Sequence, residues 1–330
     1  MTTMPDASPW DDIAVPDIDL NVRQAAGKMA VACFWGRDAN GACLFIVELD
    51  GDHTMQYRKH VVTVHGIDVD LRAGRPGQQR LILTLEKQVD RDLFESLCRT
   101  LTSALQYAND SSSSLAVALA HIRRWKTFLS GRSGQRLSIE EVWGLFAELT
   151  FLLELMDRLQ STGAAVEAWL GPEKSHQDFI FGNTAIEIKS LSGAERSTVR
   201  ISSEDQLESL NDDLFLRIYR LSNLREASAA QSLNDLVAAV QARLGDAKAV
   251  EAFDRKLVAN GYAPLPDYDE PRFVVSEVWS FRVEESFPCL IRSRLPTGVT
   301  KVAYDIKLEA IASFTCDNGA IYGGTDGTDA

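Results

Sequence analysis

Apolar positions between residues 29 and 86 fall in short runs separated by turn residues, which is a strand pattern. Residues 29–35 and 42–49 flank a turn at Asp38-Ala39-Asn40-Gly41, and 61–71 and 80–85 follow, so an N-terminal β-rich region is expected. The spacing then becomes helical over 89–108 and 115–129, with Ser111 to Ser114 read as a break between them. Ser138-Ile139-Glu140-Glu141 has capping-box spacing and opens a helical run over 142–159. Strand-like alternation returns over 177–190 and 197–203, and the latter leads into an expected helix over 204–210 with Ser203 as N-cap. Residues 232–260 read as helix, while 272–283 and 300–314 read as strands of a closing sheet. The divisions that follow are a flexible 1–12, a β-rich region with helices over 13–130, a mixed domain over 131–315 and a disordered tail over 316–330.

The hairpin within 177–190 carries the most chemistry. Gly182-Asn183 suits a two-residue turn because both residues tolerate positive φ. That turn pairs Phe181 with Thr184 and sets Asp178 opposite Glu187. Side chains alternate faces along a strand, so Lys189 joins Glu187 while Ile186 and Ile188 point the other way. Opposed residues have Cβ atoms about 4.5–5.5 Å apart, where like charges destabilise a sheet. A divalent cation between the two carboxylates, with Lys189 beside them, is the simplest compensation. The acidic-x-Lys tripeptide alone means little, since it recurs at Asp246/Lys248, Asp254/Lys256 and Asp305/Lys307. Only the Glu187 copy has a predicted carboxylate across a turn.

Glu148 points to the same place. At about 100° per residue it shares a helix face with Gly144, Leu145, Phe151, Leu152 and Leu155. A carboxylate inside an apolar stripe is costly unless it is paired or bound to a metal, although a Glu at the stripe's edge reaches solvent without any such role. Downstream, Arg196 and Arg200 are suited to phosphates and Gln206 to orienting a water or a backbone group; taken singly, an ordinary solvated side chain is the better account of each.

Composition sets outer limits. The chain has 330 residues, 45% of them hydrophobic, enough for two domains. No apolar run has membrane-spanning length, and the first residues lack a signal-peptide pattern. The 5 cysteines are scattered without any Cys-x-x-Cys, which argues against zinc and disulfides and favours a reducing cytoplasm. A net charge of −13 weighs against tight autonomous nucleic-acid binding. No Walker-type loop and no Gly-x-Ser-x-Gly elbow occurs.

A helix bearing Glu148, then Asp178, then Glu187-Ile188-Lys189 across a turn, then strand and helix, resembles the PD-(D/E)xK nuclease fold. Gly144 through Leu149, His176-Gln177-Asp178-Phe179, Glu187-Ile188-Lys189-Ser190, and Ile201 through Leu207 are similar to a bacterial branch of PD-(D/E)xK motif proteins linked to restriction-modification and phage-defence genes, and the resemblance extends through Phe287-Pro288 to Tyr304. Gln177 stands where the motif has proline. The resemblance implies an α/β fold with a restriction-endonuclease-like core. It also implies Mg²⁺ (Mn²⁺ substituting) held by Asp178, Glu187 and the Ile188 carbonyl, with Glu148 completing the shell and Lys189 acting on the attacking water. His176 is implied as a contact to DNA or metal, or equally as a structural histidine. The implied activity is metal-dependent hydrolysis of DNA by an endonuclease, working with DNA and other defence subunits and allowing a homodimer; the alternative is a catalytically inactive DNA-binding or assembly subunit.

Overall fold

The chain divides into two units, Met1–Gln135 with Gly261–Pro266, and Arg136–Asn260 with Asp267–Ala330. The computed structural model describes residues 8–64, 66–86, 89–131, 136–159, 161–173, 175–192, 197–223 and 227–322.

The first unit is built on β1 (Leu20–Gln24), β2 (Cys33–Asp38), β3 (Cys43–Asp50), β4 (Ile67–Ala73) and β5 (Gln78–Leu85), in the order β1-β2-β3-β5-β4 and antiparallel throughout. The expected turn after β2 forms because Asp38 Oδ1 accepts the N–H groups of Asn40 and Ala42, while Gly41 takes a φ of 79°. The helices are α1 (Thr54–His60), α2 (Arg91–Leu105) and α3 (Ser111–Gly131). Two expectations fail here. Residues 8–12 are not loose: Trp10 is fully buried, its indole donates to the Leu44 carbonyl at 2.9 Å, and its ring stacks on Phe94. Ser111 to Ser114 form the first turn of α3 and not a linker, because the Asp110 carboxylate accepts the Ser113 N–H at 2.7 Å and starts the helix. His60 closes α1, and His65 lies outside the described residues.

The second unit begins with α4 (Ile139–Met156), whose capping box is made in both directions by Ser138 and Glu141. Then come α5 (Thr162–Ala168), β6 (Phe179–Phe181), β7 (Thr184–Ser192), β8 (Thr198–Ile201), β9 (Asp213–Ser222), α6 (Leu233–Arg243), α7 (Ala247–Ala259), β10 (Val274–Arg282), β11 (Tyr304–Lys307) and β12 (Thr315–Cys316). The main sheet runs β12-β10-β9-β7-β6, with β7 and β9 parallel and the other pairs antiparallel. Strands β7 and β9 are buried along nearly their whole length, as a parallel pair covered on both faces requires. The result is a mixed α/β fold with a β-rich N-terminal region.

Several expected elements change identity. The 197–203 strand, as β8, pairs only with β11 in a separate two-stranded sheet. Residues 204–210 form turns and no helix: Ser203 Oγ does accept the Asp205 N–H, but the carbonyls of Asp205, Gln206 and Glu208 all go to the Gln177 amide. The 232–260 helix splits at Gly245-Asp246, where Asp246 caps α7. Strand structure in 300–314 is confined to β11, since Leu308–Phe314 is 3-10 helix. The tail is ordered well past residue 316. Ile321 is fully buried, and the Tyr322 hydroxyl donates to Glu154 Oε2 at 3.0 Å. Residues 323–330 lie outside the described residues. Among those described, no helix is long and apolar enough to cross a membrane.

Candidate active site

The hairpin has the register that the Gly182-Asn183 turn demands. Phe179 pairs with Ile186, Ile180 with Ala185 and Phe181 with Thr184, and Gly182 has a φ of 53°. Asp178 sits one step before β6. Its N–H donates to the Ile186 carbonyl, and its Oδ2 accepts the Ile188 N–H at 2.7 Å. Glu187 is 1% exposed, and its Oε1 lies 2.7 Å from Lys189 Nζ, so the two share a strand face. The other oxygen, Glu187 Oε2, is buried with no hydrogen-bond partner.

Helix α4 supplies Glu148 from its half-buried side. The Trp169 indole N–H donates to Glu148 Oε2 at 2.7 Å. Two residues on, Gly171 meets both acids: a Cβ there would stand 2.9 Å from Asp178 Oδ1 and 3.0 Å from Glu148 Oε2. The two carboxylates therefore converge on one point that only a glycine leaves open. The segment between is tied to the hairpin, since Trp169 bridges to Phe179 and the N–H groups of Leu170 and Gly171 both donate to the Asp178 carbonyl. Helix α7 holds it from behind through Lys256 Nζ, which donates to the carbonyls of Val166 and Trp169.

A family model described as "Putative PD-(D/E)XK family member, (DUF4420)" matches residues 7–309. The chain belongs to this PD-(D/E)XK family. No curated protein and no solved structure matches it. Asp178 and Glu187-Ile188-Lys189 are the residues that the sequence reading matches to the PD-(D/E)XK pattern, with Gln177 where that pattern has proline. The replacement has a structural use. Gln177 is buried, and its amide donates to the carbonyls of Asp205, Gln206 and Glu208 at 3.0, 3.4 and 2.8 Å. It thereby holds the turn that presents Gln206, whose Oε1 accepts from Lys189 Nζ at 3.2 Å and from the Ser202 N–H at 2.8 Å.

Three carboxylates face one ammonium, and the electrostatics follow. Burial pushes Glu148 up to about 8, helped by the charge of Asp178. Burial also raises Asp178, against the opposing pull of Lys189 and the Ile188 N–H. Glu187 is driven well above its usual range by burial first and Asp178 second. Burial would depress Lys189, but the attraction of Glu187 and then Asp178 outweighs it and carries the ammonium above its ordinary value. Such a site favours any further positive charge.

PD-(D/E)XK nucleases typically use divalent metals. Among the described residues, no three His, Cys, Asp or Glu side chains already form an ion-holding cluster. Each acid has one oxygen engaged, by Trp169, by the Ile188 N–H or by Lys189. The remaining donors still fit a hard cation: they are all oxygens, Glu187 Oε2 lacks a partner, and Gly171 leaves the space beside Asp178 and Glu148 unfilled.

The other sequence candidates lie farther out. His176 is exposed. Arg200 is exposed on β8 and pairs with Asp305 of β11 at 3.8 Å. Arg196 lies outside the described residues. The rival tripeptide at Asp305 is thus half of a surface pair. Sequence reasoning missed Trp169 and Gly171. Nothing local separates Trp169 from an ordinary core tryptophan, and the only hint is that a buried indole N–H needs an acceptor.

Proposed function

We propose that this protein is a divalent-metal-dependent phosphodiesterase acting on DNA, an endonuclease of a restriction-modification or phage-defence system. The observation that carries the reading is Lys189 Nζ, held 2.7 Å from Glu187 on the strand face beside Asp178, with Glu187 Oε2 unpartnered. Asp178, Glu187, Glu148 and the Ile188 carbonyl would hold Mg²⁺, with Mn²⁺ able to replace it. The ion, when bound, supplies charge neutralisation at the scissile phosphate and lowers the pKa of a bound water.

The chain's own groups do the rest. Lys189 presents its ammonium to the attacking water and to the charge that develops on phosphorus-bound oxygen. Gln206 and Glu187 together hold that ammonium, each accepting from it. Asp178 is held rigid by the Ile188 N–H, so it does not reorganise as charge shifts. Arg196 and Arg200 would meet flanking phosphates, with Arg200 leaving Asp305 to do so, and His176 would lie along the same approach. The same reading places the protein in the cytoplasm, with DNA and other defence subunits as partners.

A net charge of −13 favours a second reading, in which this is an inactive assembly subunit and a partner supplies DNA affinity. Supercoiled plasmid incubated with the purified protein and Mg²⁺ or Mn²⁺ separates the two. Nicking or linearisation is expected, falling by about 10²–10⁴-fold in Lys189→Ala with the fold intact. Cleavage that survives Lys189→Ala refutes the assignment, and metal-independent inertness of the wild type supports the assembly role.

A further inference from the structure

Trp169 does more than fill space behind the carboxylates. It is fully buried, and an indole N–H can only donate, so it must find an acceptor inside the protein. The acceptor is Glu148 Oε2 at 2.7 Å, a length typical of a donor meeting an ionised or strongly polar oxygen. Glu148 comes from α4, whereas Asp178 comes from the hairpin, and nothing in either element alone fixes one carboxylate against the other. The segment from Trp169 to Gly171 does so. Its indole takes Glu148, its two following N–H groups take the Asp178 carbonyl, and its glycine leaves the gap on which Asp178 Oδ1 and Glu148 Oε2 converge. Lys256, 3% exposed, anchors the Trp169 carbonyl and so fixes the backbone from which the indole projects.

We propose that Trp169 is a positioning residue that orients the Glu148 carboxylate for the divalent cation, acting through its indole N–H. This rests on the metal-site reading above. The hydrogen bond occupies Oε2 on the indole side and sets the plane of the carboxylate, so that the group reaches the shared gap without a search through its rotamers. Outer partners of this kind set metal affinity by about 10–100-fold when removed.

The test uses the full chain. The 6 tryptophans give as many indole N–H resonances in a nitrogen-15 spectrum, and Trp169→Phe, which keeps the ring and loses the donor, identifies the one that belongs to Trp169. That resonance is expected to move as Mg²⁺ is titrated into the wild type. The Mg²⁺ concentration at half-maximal thermal stabilisation is expected to rise at least about tenfold in Trp169→Phe. If the wild type responds to Mg²⁺ and Trp169→Phe responds with the same midpoint, the proposal is overturned while the metal site stands. If the wild type shows no response to Mg²⁺ or Mn²⁺, the proposal falls together with the reading it rests on. Should Trp169→Phe fail to fold, Glu148→Gln decides: one indole resonance must differ from the wild type in that variant and must be the one that Mg²⁺ moves, and the lack of a common resonance overturns the proposal.

Discussion

Placing one methyl group at residue 171 tests the site without removing any ligand. In Gly171→Ala the new Cβ would stand 2.9 Å from Asp178 Oδ1 and 3.0 Å from Glu148 Oε2, closer than carbon and oxygen tolerate. Both oxygens belong to side chains, so they can yield, but Asp178 is tethered through its other oxygen by the Ile188 N–H, and Glu148 through Oε2 itself by the Trp169 indole. Overpacking of this kind costs about 1–3 kcal/mol. The loss of glycine's freedom in the unfolded chain returns about 0.4–1 kcal/mol, because the position does not have positive φ. The net destabilisation is then about 1–2 kcal/mol, small enough to leave the protein folded. The effect on the site is larger. At a cation concentration ten times the dissociation constant, the wild type gains about 1.4 kcal/mol by mass action, and the variant should gain almost nothing. Misplacing the acids by a fraction of their bond length to the ion should also cut cleavage by about 10²-fold. Urea unfolding with and without Mg²⁺, alongside plasmid cleavage, measures both. A Gly171→Ala protein that keeps the metal-linked gain and the cleavage rate refutes the idea that the two carboxylates act together across this gap.

Asp178→Ala should abolish the rise in melting temperature produced by Mg²⁺ or Mn²⁺, and a variant that still shows the rise would move the ion elsewhere. Replacing Arg196 and Arg200 together with alanine should weaken binding to all DNA sequences about equally and flatten the salt dependence, because phosphate contacts do not read bases; sequence-selective loss would contradict that role. His121 offers a pH test away from the site. Burial, aided by Arg124, pulls its ring down to about 3, and its Nε2 lies 3.0 Å from Thr100 Oγ1. Above the unfolded value of about 6.5 both states are neutral; below it only the unfolded chain takes a proton, so stability falls with pH by about 1.4 kcal/mol per unit and by about 2 kcal/mol at pH 5. That part of the decline should vanish in His121→Gln, and equal declines in urea midpoint for the two proteins would show that the ring titrates normally.

The legible part of the molecule is the part whose signals are local. Gly182-Asn183 sets a hairpin register within a few residues, and the register alone brings Asp178, Glu187 and Lys189 to one place. Ser138 and Glu141 cap α4 by contacts three residues apart, which fixes the phase that turns Glu148 inward. Where distant groups decide, the sequence pattern misleads. Residues 204–210 have a helical start signal, but Gln177, some thirty residues earlier, takes the carbonyls that a helix would need. Trp10 and Tyr322 lie in stretches too polar or too short to predict order, yet each is fixed by a single buried ring and a hydrogen bond to a residue far along the chain. Trp169 and Gly171 were invisible for the same reason, because their importance lies in what α4 and the hairpin bring to them.

The division of the chain has a consequence for its synthesis. The first unit includes Gly261–Pro266, where Tyr262, Ala263 and Leu265 are buried, so it is incomplete when the ribosome passes Gln135. At the usual pace of elongation, the wait until residue 266 is on the order of ten seconds. During that interval a nearly finished β-rich unit stands with its last apolar pieces not yet made, and the carboxylate site is being assembled from the intervening chain. A gene cut at Gln135 therefore yields no natural half-protein. The fragment lacks part of its own interior, and chaperone capture during translation is expected to concentrate on the stretch between these two points.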